Sequence, residues 1–174
     1  AALGIYRVAT QLTSSTLNVI QAIIGRVSFS AFARQQHVRE VALSSFLEMT
    51  AVMCIIAAPL TVAMVLLAEP VVAIMFGPAW EGSGPLVGIL ALFYFLRMFE
   101  GSAIPLVSGV GKAKQLMWWS ATTSVFYVLL VALASLAKSG LVIAATMASI
   151  QALAVLVFYF LLLRPTFGYF GRRY

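Results

Sequence analysis

Two long runs without a single charged residue constrain this chain more than any other feature. Residues 49–68 and 115–137 contain no Asp, Glu, Lys or Arg, and each is long enough to cross roughly 30 Å of hydrocarbon as a helix. Hydrophobic residues make up 63% of the chain and charged residues only 9%, which leaves too few polar side chains to cover a surface in water. We therefore expect an integral membrane protein and not a soluble domain.

Apolar stretches separated by short polar connections predict about five transmembrane helices. An amphipathic segment over about 29–42 is expected to lie on the inner membrane surface. A segment over about 69–84, punctuated by Pro and Gly, is expected at the outer interface. The fold class predicted is an all-α integral membrane protein in which residues 1–174 form a single helical lobe. Its spans are 3–24, 44–67, 85–107, 115–137 and 141–163.

Lys and Arg are concentrated in alternate connections. The first, third and last connections hold eight of them, the second none and the fourth only Lys138. The positive-inside rule places the C-terminus in the cytoplasm and Ala1 outside. Because the chain starts at Ala1 without an initiator Met, we expect further spans before it. The net charge of +6 reflects this orientation and does not indicate nucleic-acid binding, since no basic face interleaved with aromatic residues is present.

Aromatic residues lie at the predicted cytoplasmic ends of the last two spans. Trp118 and Trp119 are near the start of the fourth span, and Phe158, Tyr159 and Phe160 are near the end of the fifth. Such residues are enriched at the level of the lipid headgroups. We interpret all five as membrane-interface anchors.

A polar stripe runs along the first predicted span. Its members follow one another at spacings of four and three residues, which places them on one face of a helix. Facing lipid would be costly for these side chains. Two interpretations stay open: hydrogen bonding between packed helices, or the lining of a hydrophilic passage for a polar substrate. The stripe consists of Arg7, Gln11, Ser14, Asn18, Gln21 and Gly25.

Two charged residues lie inside the third predicted span. Arg97 and Glu100 follow Pro85 by twelve and fifteen residues, which places them near the bilayer midplane at about 1.5 Å per residue. Because they are three residues apart, they share a helix face and are able to pair. In the alternative interpretation Arg97 attracts an anionic group of a substrate through its guanidinium fork, and Glu100 tunes it or carries a coupling proton.

Residue types suited to acid–base or metal chemistry are scarce. The chain has no Asp, one His and one Cys, so we expect neither a catalytic residue set nor a metal or cofactor site. This composition favours a transporter over an enzyme.

Five segments carry a family resemblance: Leu3–Ala9, Arg26–Arg34, Ala68–Val72, Met75–Trp80 and Leu106–Lys112. They resemble segments of the polysaccharide flippases (Wzx-type exporters), whose superfamily also contains the multidrug and toxin extrusion proteins and the lipid II flippase. The resemblance implies a parent protein of twelve or more spans in two lobes. The five spans here would form most of the C-terminal lobe of such a transporter, similar in fold to the multidrug and toxin extrusion proteins.

The resemblance also implies a function. The parent would move a polyprenyl-diphosphate-linked oligosaccharide across a bacterial inner membrane by alternating access, with proton or sodium coupling left open. Its partners would be membrane lipids, the lipid-linked oligosaccharide and the missing N-terminal lobe. Two alternatives stay open: a small-molecule (multidrug) cation exporter of the same superfamily, and a membrane-embedded glycan-processing enzyme. More intramembrane Arg than free carboxylate favours an anionic cargo, and short, nearly charge-free outer connections argue against the enzyme.

Overall fold

The computed structural model describes residues 39–77, 82–109, 111–137 and 139–167, together with residues 4, 6, 7, 9–11, 13–15, 17–19 and 22. Within these residues the chain forms helices joined by short turns, and no strand occurs. Helix α1 is helical at every described position from 4 to 22. It is followed by α2 (Arg39–Leu66), α3 (Ala68–Phe76), α4 (Gly84–Gly109), α5 (Ala113–Ser135) and α6 (Gly140–Phe158). A π-helical turn, Tyr159–Leu163, joins α6 to the short α7, Arg164–Phe167.

Four helical segments are long and apolar enough to cross a membrane within the part of the chain that the structure describes. They agree within a few residues with the last four spans expected from the sequence, and α1 is helical where the first span is expected. The all-α integral membrane fold class is therefore confirmed. The four segments are Leu43–Leu66, Gly84–Gly109, Ala113–Ser135 and Gly140–Leu163.

Helix α2 begins before the expected span. Residues 39–42, the end of the expected amphipathic surface segment, form the first turn of α2, and the candidate membrane span begins at Leu43. Neither Gly nor Pro separates them from the apolar run that follows, so nothing in the sequence interrupts the helix there. Residues 29–38, the rest of that segment, lie outside the described residues.

Helix α3 occupies the first half of the segment expected at the outer interface. It has nine residues, which gives a length of about 14 Å, too short to cross the bilayer. Only Leu67 separates it from α2. Gly77 ends it with a φ of 85°, a conformation that glycine adopts without steric cost. Residues 78–81, which include Trp80, lie outside the described residues.

Helix α4 is the centre of the bundle. It packs most extensively against α2 and α6 and also contacts α3 and α5, whereas α5 has no buried residue. Residues of α4 belong to three buried clusters stacked along its axis, and in a membrane such packing holds helices together by van der Waals contact. Representative members are Leu86, Leu90 and Val72 near α3, Met98, Met53 and Ala57 in the middle, and Leu106, Val107 and Phe46 at the other end.

Glu69 of α3 caps the start of α4. Its carboxylate accepts hydrogen bonds from the backbone N–H groups of Gly82 and Gly84, the latter at 3.0 Å. The first N–H groups of a helix have no partner within the helix, and the helix dipole favours negative charge there. The bond from Gly84 therefore ties α3 to the first turn of α4, and the bond from Gly82 ties it to the turn that precedes α4.

We expect Gly84→Ala to lower the free energy of unfolding by about 1–3 kcal/mol. A Cβ at residue 84 would overlap the Glu69 carboxylate and come within 3.0 Å of the Glu69 backbone nitrogen, so the capping contact has to move. Denaturant titration of the purified protein in detergent micelles measures the effect. Gly88→Ala is the matched control in the same helix, because its Cβ would approach Val65 no closer than 3.7 Å. Equal stability of the two variants would contradict this account of the cap.

Candidate functional site

The polar stripe of α1 lies on the side of the helix that the bundle leaves uncovered. Arg7, Gln11 and Asn18 are exposed, whereas Ala9 and Leu17 are 1% and 0% exposed. Ala9 packs among residues of α3, α4 and α6, and Leu17 packs against α2 and α4. The apolar face of α1 therefore anchors the helix, and the polar face points away from the core.

The stripe is not used to bond the described helices to one another. Ser14 is half-buried, and its hydroxyl donates to the backbone carbonyl of Gln11 at 3.4 Å, within α1 itself. Arg7, Gln11 and Asn18 have no side-chain hydrogen bond to another helix among the described residues. Gln21 lies outside the described residues. Two interpretations of the stripe were left open. The first, hydrogen bonding between packed helices, is not observed among the described residues.

Arg97, the first of the two charged residues in α4, is exposed. Its guanidinium carbon lies 5.9 Å from the centroid of the Phe93 ring, within the range of a cation–π interaction. Phe93 is 2% exposed, so the ring is held in place by its surroundings. The pairing of Arg97 with Glu100 that their spacing permits is not present in the described structure. Arg97 thus presents its charge at the surface of the bundle.

Glu100 is bound by two neighbouring helices instead. Trp119 of α5 donates from Nε1 to the Glu100 Oε1 atom at 2.7 Å, and Gln151 of α6 donates from Nε2 to Oε2 at 2.9 Å. Hydrogen bonds to an ionised carboxylate are about twice as strong as neutral ones. These two donors satisfy both oxygens and explain why Glu100 does not turn toward Arg97. The carboxylate joins α4, α5 and α6.

A cavity of about 330 Å³ lies beside Glu100, between α2, α4 and α6. Its lining is mostly apolar, and Glu100 is the one charged residue in it. The buried Thr50 hydroxyl in the same lining has no hydrogen-bond partner. Tyr159 and Leu163 of the π-helical turn close one side. In such apolar surroundings hydrogen bonds to the carboxylate are stronger than they would be in water.

The Phe93 ring beside Arg97 contacts two further aromatic side chains. Tyr94 of α4 packs edge-on against Phe93 with ring centroids 5.0 Å apart, and Tyr127 of α5 lies 6.3 Å from the same ring. No described contact joins Arg97 directly to the stripe. Tyr6, the residue before Arg7, donates its hydroxyl to the Met147 sulfur of α6 at 3.0 Å.

The interpretation of the aromatic residues as interface anchors is contradicted for Phe158, which is buried, whereas Trp119 and Tyr159 are half-buried. Trp118 and Phe160 are 63% and 54% exposed, as anchors would be. Trp119 and Phe158 instead pack against each other with centroids 5.4 Å apart, and Phe158 is 2% exposed. Consecutive residues of a helix do not share a face, so adjacent aromatic residues have separate surroundings.

Gln151 is the main residue of the site that sequence patterns did not single out. It lies within the apolar run of the last span and is 5% exposed. A buried amide in a membrane helix is costly unless it is hydrogen-bonded. The sequence places Gln151 and Glu100 inside two different spans, and this was enough to predict that the two side chains pair.

The described helices identify the protein as an all-α, multi-pass membrane protein. Comparison with known proteins adds a likeness to a family, because residues 1–85 match the model of a polysaccharide biosynthesis protein family. This match supports the resemblance inferred from the sequence.

Three relatives agree with the family match. The teichuronic acid biosynthesis protein TuaB of Bacillus subtilis is 27% identical over 126 residues, 72% of this chain and 26% of the relative. The succinoglycan biosynthesis transport protein ExoT of Rhizobium meliloti is 30% identical over 117 residues, 67% of this chain and 24% of the relative. The amylovoran biosynthesis protein AmsL of Erwinia amylovora is 28% identical over 130 residues, 75% of this chain and 34% of the relative.

The chain thus spans about a quarter to a third of the length of these relatives. No solved structure shows significant similarity to it.

Proposed function

We propose that this chain is part of a membrane transporter that flips or exports polyprenyl-diphosphate-linked oligosaccharide or polysaccharide units by alternating access. Relatives named for the biosynthesis of teichuronic acid, succinoglycan and amylovoran support a polysaccharide cargo. One of them is named a transport protein, which supports transport over enzymatic chemistry. A bacterial inner membrane is the proposed location, and the positive-inside rule supports an orientation with the turn at Lys112 and the C-terminus in the cytoplasm.

The observation that carries the proposal is the uncovered polar face of α1. Arg7, Gln11 and Asn18 are exposed on a helix whose other face is buried. Lipid cannot solvate such a face cheaply, and intramembrane polar residues therefore face protein or a water-filled cavity. The described helices leave Arg7, Gln11 and Asn18 of the stripe uncovered. Its surroundings are proposed to be a hydrophilic passage, with the N-terminal lobe of the longer protein as the opposite wall.

Arg97 supplies the second element of the proposed passage. Its guanidinium is exposed and is not neutralised by Glu100. Guanidinium binds phosphate oxygens through two parallel hydrogen bonds, which suits the diphosphate of a lipid-linked sugar. Glu100 has a different role in this proposal, because both its oxygens are occupied by Trp119 and Gln151. It holds the helices behind Arg97 together.

Cysteine labelling tests whether the stripe faces water. In a Cys54→Ala background, Asn18→Cys is expected to react with a water-soluble maleimide at least about tenfold faster than Val19→Cys, because a thiol reacts as the thiolate, which apolar surroundings disfavour. Asn18 and Val19 are neighbours on the helix and both are exposed, Val19 by 59%. Val19 points about 100° away from the stripe. Equal labelling rates would contradict a hydrophilic passage along α1.

The same variants test whether α1 lines the path by which the polysaccharide is exported. In cells whose surface polysaccharide depends on this protein, maleimide treatment is expected to stop export in the Asn18→Cys strain and to leave it unchanged in the Val19→Cys strain. The measurement is surface polysaccharide together with the lipid-linked intermediate, which accumulates when translocation stops. Continued export after complete labelling of Asn18→Cys would overturn the assignment of α1 to the substrate path.

A further inference from the structure

A larger cavity lies outside the proposed substrate path. It is an open groove of about 820 Å³ between α5 and α6. Its inner part is lined by apolar side chains that include Phe126, Leu130, Ile150 and Leu153. Phe126 and Leu153 are 59% and 62% exposed, so this part of the helix pair presents an apolar channel at its surface.

The length of the groove matches one leaflet of a bilayer. It extends from Gln115 to Leu130 on α5, which is about 22 Å along the helix axis, and on the other side from Ile150 of α6 to Pro165 of α7. A bilayer with its headgroup regions is about 40–45 Å thick, so one leaflet is about 20–22 Å. An acyl chain and its headgroup fit this length together.

Polar and basic groups lie at one end of the groove. Lys112, Gln115 and Trp118 line this end on the α5 side. Lys114 and Arg164 are next to lining residues in the chain but are not part of the lining. The amide and the indole N–H are donors, and the cation of Lys112 favours a negatively charged group. The groove therefore combines an apolar channel with a basic end, and its charge is complementary to an anionic headgroup.

We propose that this groove binds one anionic phospholipid, with an acyl chain along the apolar channel and the phosphate at Lys112 and Gln115. A basic residue near a membrane surface favours an anionic lipid by about fivefold, so Lys112 selects against zwitterionic lipids. The site is formed by α5 and α6, whereas the proposed substrate path is formed by α1 and Arg97 of α4. Failure of either proposal leaves the other standing.

Photocrosslinking in vesicles of known composition tests the site. The protein carries p-benzoylphenylalanine in place of Phe126, in the groove, or in place of Val125, its neighbour outside the groove with the same exposed fraction of 59%. The vesicles contain equal amounts of phosphatidylethanolamine and phosphatidylglycerol. Mass spectrometry of the adducts is expected to show at least about fivefold more phosphatidylglycerol than phosphatidylethanolamine at position 126, and equal amounts of both at position 125.

Two further variants test where the lipid headgroup and the acyl chain bind. Lys112→Gln is expected to reduce the phosphatidylglycerol preference at position 126 about fivefold. Leu153→Trp fills the groove and is expected to abolish the adduct, whereas Leu156→Trp, outside the groove and exposed to a similar degree, leaves it intact. Equal adduct ratios at positions 125 and 126, or an adduct with a peptide in place of a lipid, would overturn the proposal. The second result would identify a protein helix as the occupant.

Discussion

Replacing Arg97 by alanine is expected to reduce polysaccharide export by about 10- to 100-fold. A hydrogen bond to a charged group contributes about 1.5–3 kcal/mol, and each 1.4 kcal/mol corresponds to about a factor of ten. The exposed guanidinium forms no ion pair with Glu100, so its removal leaves no carboxylate unpartnered. We therefore expect the amount of folded protein in the membrane to stay the same while export falls.

The Arg97→Lys variant distinguishes the effect of the positive charge from that of the planar guanidinium group. Lysine keeps the positive charge but lacks the planar fork that binds two phosphate oxygens at once, so an intermediate level of export is expected. Leu92→Ala is the control for a change on an exposed position of α4, because Leu92 is 48% exposed and lies outside the proposed path. The measurement is surface polysaccharide per unit of membrane-inserted protein. Normal export by Arg97→Ala would remove Arg97 from the proposed mechanism.

Replacing Glu100 by alanine is expected to lower the free energy of unfolding by about 3 kcal/mol. The change leaves two donors, Trp119 Nε1 and Gln151 Nε2, without their acceptor, and Gln151 is almost completely buried. The hydrogen bonds that join α4 to α5 and to α6 through Glu100 are lost. Glu100→Gln retains one acceptor oxygen, and we expect it to lose about 1 kcal/mol. Equilibrium unfolding in detergent micelles measures both values.

A matched pair of tryptophan variants tests the same connection from α5. Trp119→Phe removes the indole donor and keeps a ring against Phe158, whereas Trp118→Phe changes a residue that is 63% exposed. We expect a loss of about 1–2 kcal/mol for the first and none for the second. In the double variant with Glu100→Ala, the effect of Trp119→Phe is expected to be smaller, since the bond is already absent. Additive effects would show that Trp119 and Glu100 do not interact.

The two sets of variants distinguish the roles of two charges that are three residues apart in α4. Arg97 is expected to affect export without affecting stability. Glu100 is expected to affect stability first, with export reduced only as far as the folded protein is lost. If Glu100→Gln kept full stability and lost export, Glu100 would belong to the transport chemistry and not to the helix packing.

The membrane spans were determined by the sequence itself. A backbone that crosses lipid has to satisfy its hydrogen bonds internally, so an uncharged run such as 115–137 forms a helix whatever surrounds it. Helix periodicity likewise determined that Arg7, Gln11 and Asn18 share a face. The start of the whole helix α2, four residues before its candidate span, was less predictable, because a helix ends only where a breaker or a cap stops it.

Tertiary packing decided which way those faces point. The stripe is exposed because Ala9 and Leu17, on the other face of α1, are buried against α2, α3, α4 and α6. Glu100 binds Trp119 and Gln151 because the rotations of α5 and α6 bring these donors to within 2.7 and 2.9 Å of it. The sequence by itself determined the helices and which residues share a face, since hydrogen bonding and periodicity within one helix are local. Only the tertiary structure decided the partners, since they depend on helix rotations set by many weak packing contacts between helices.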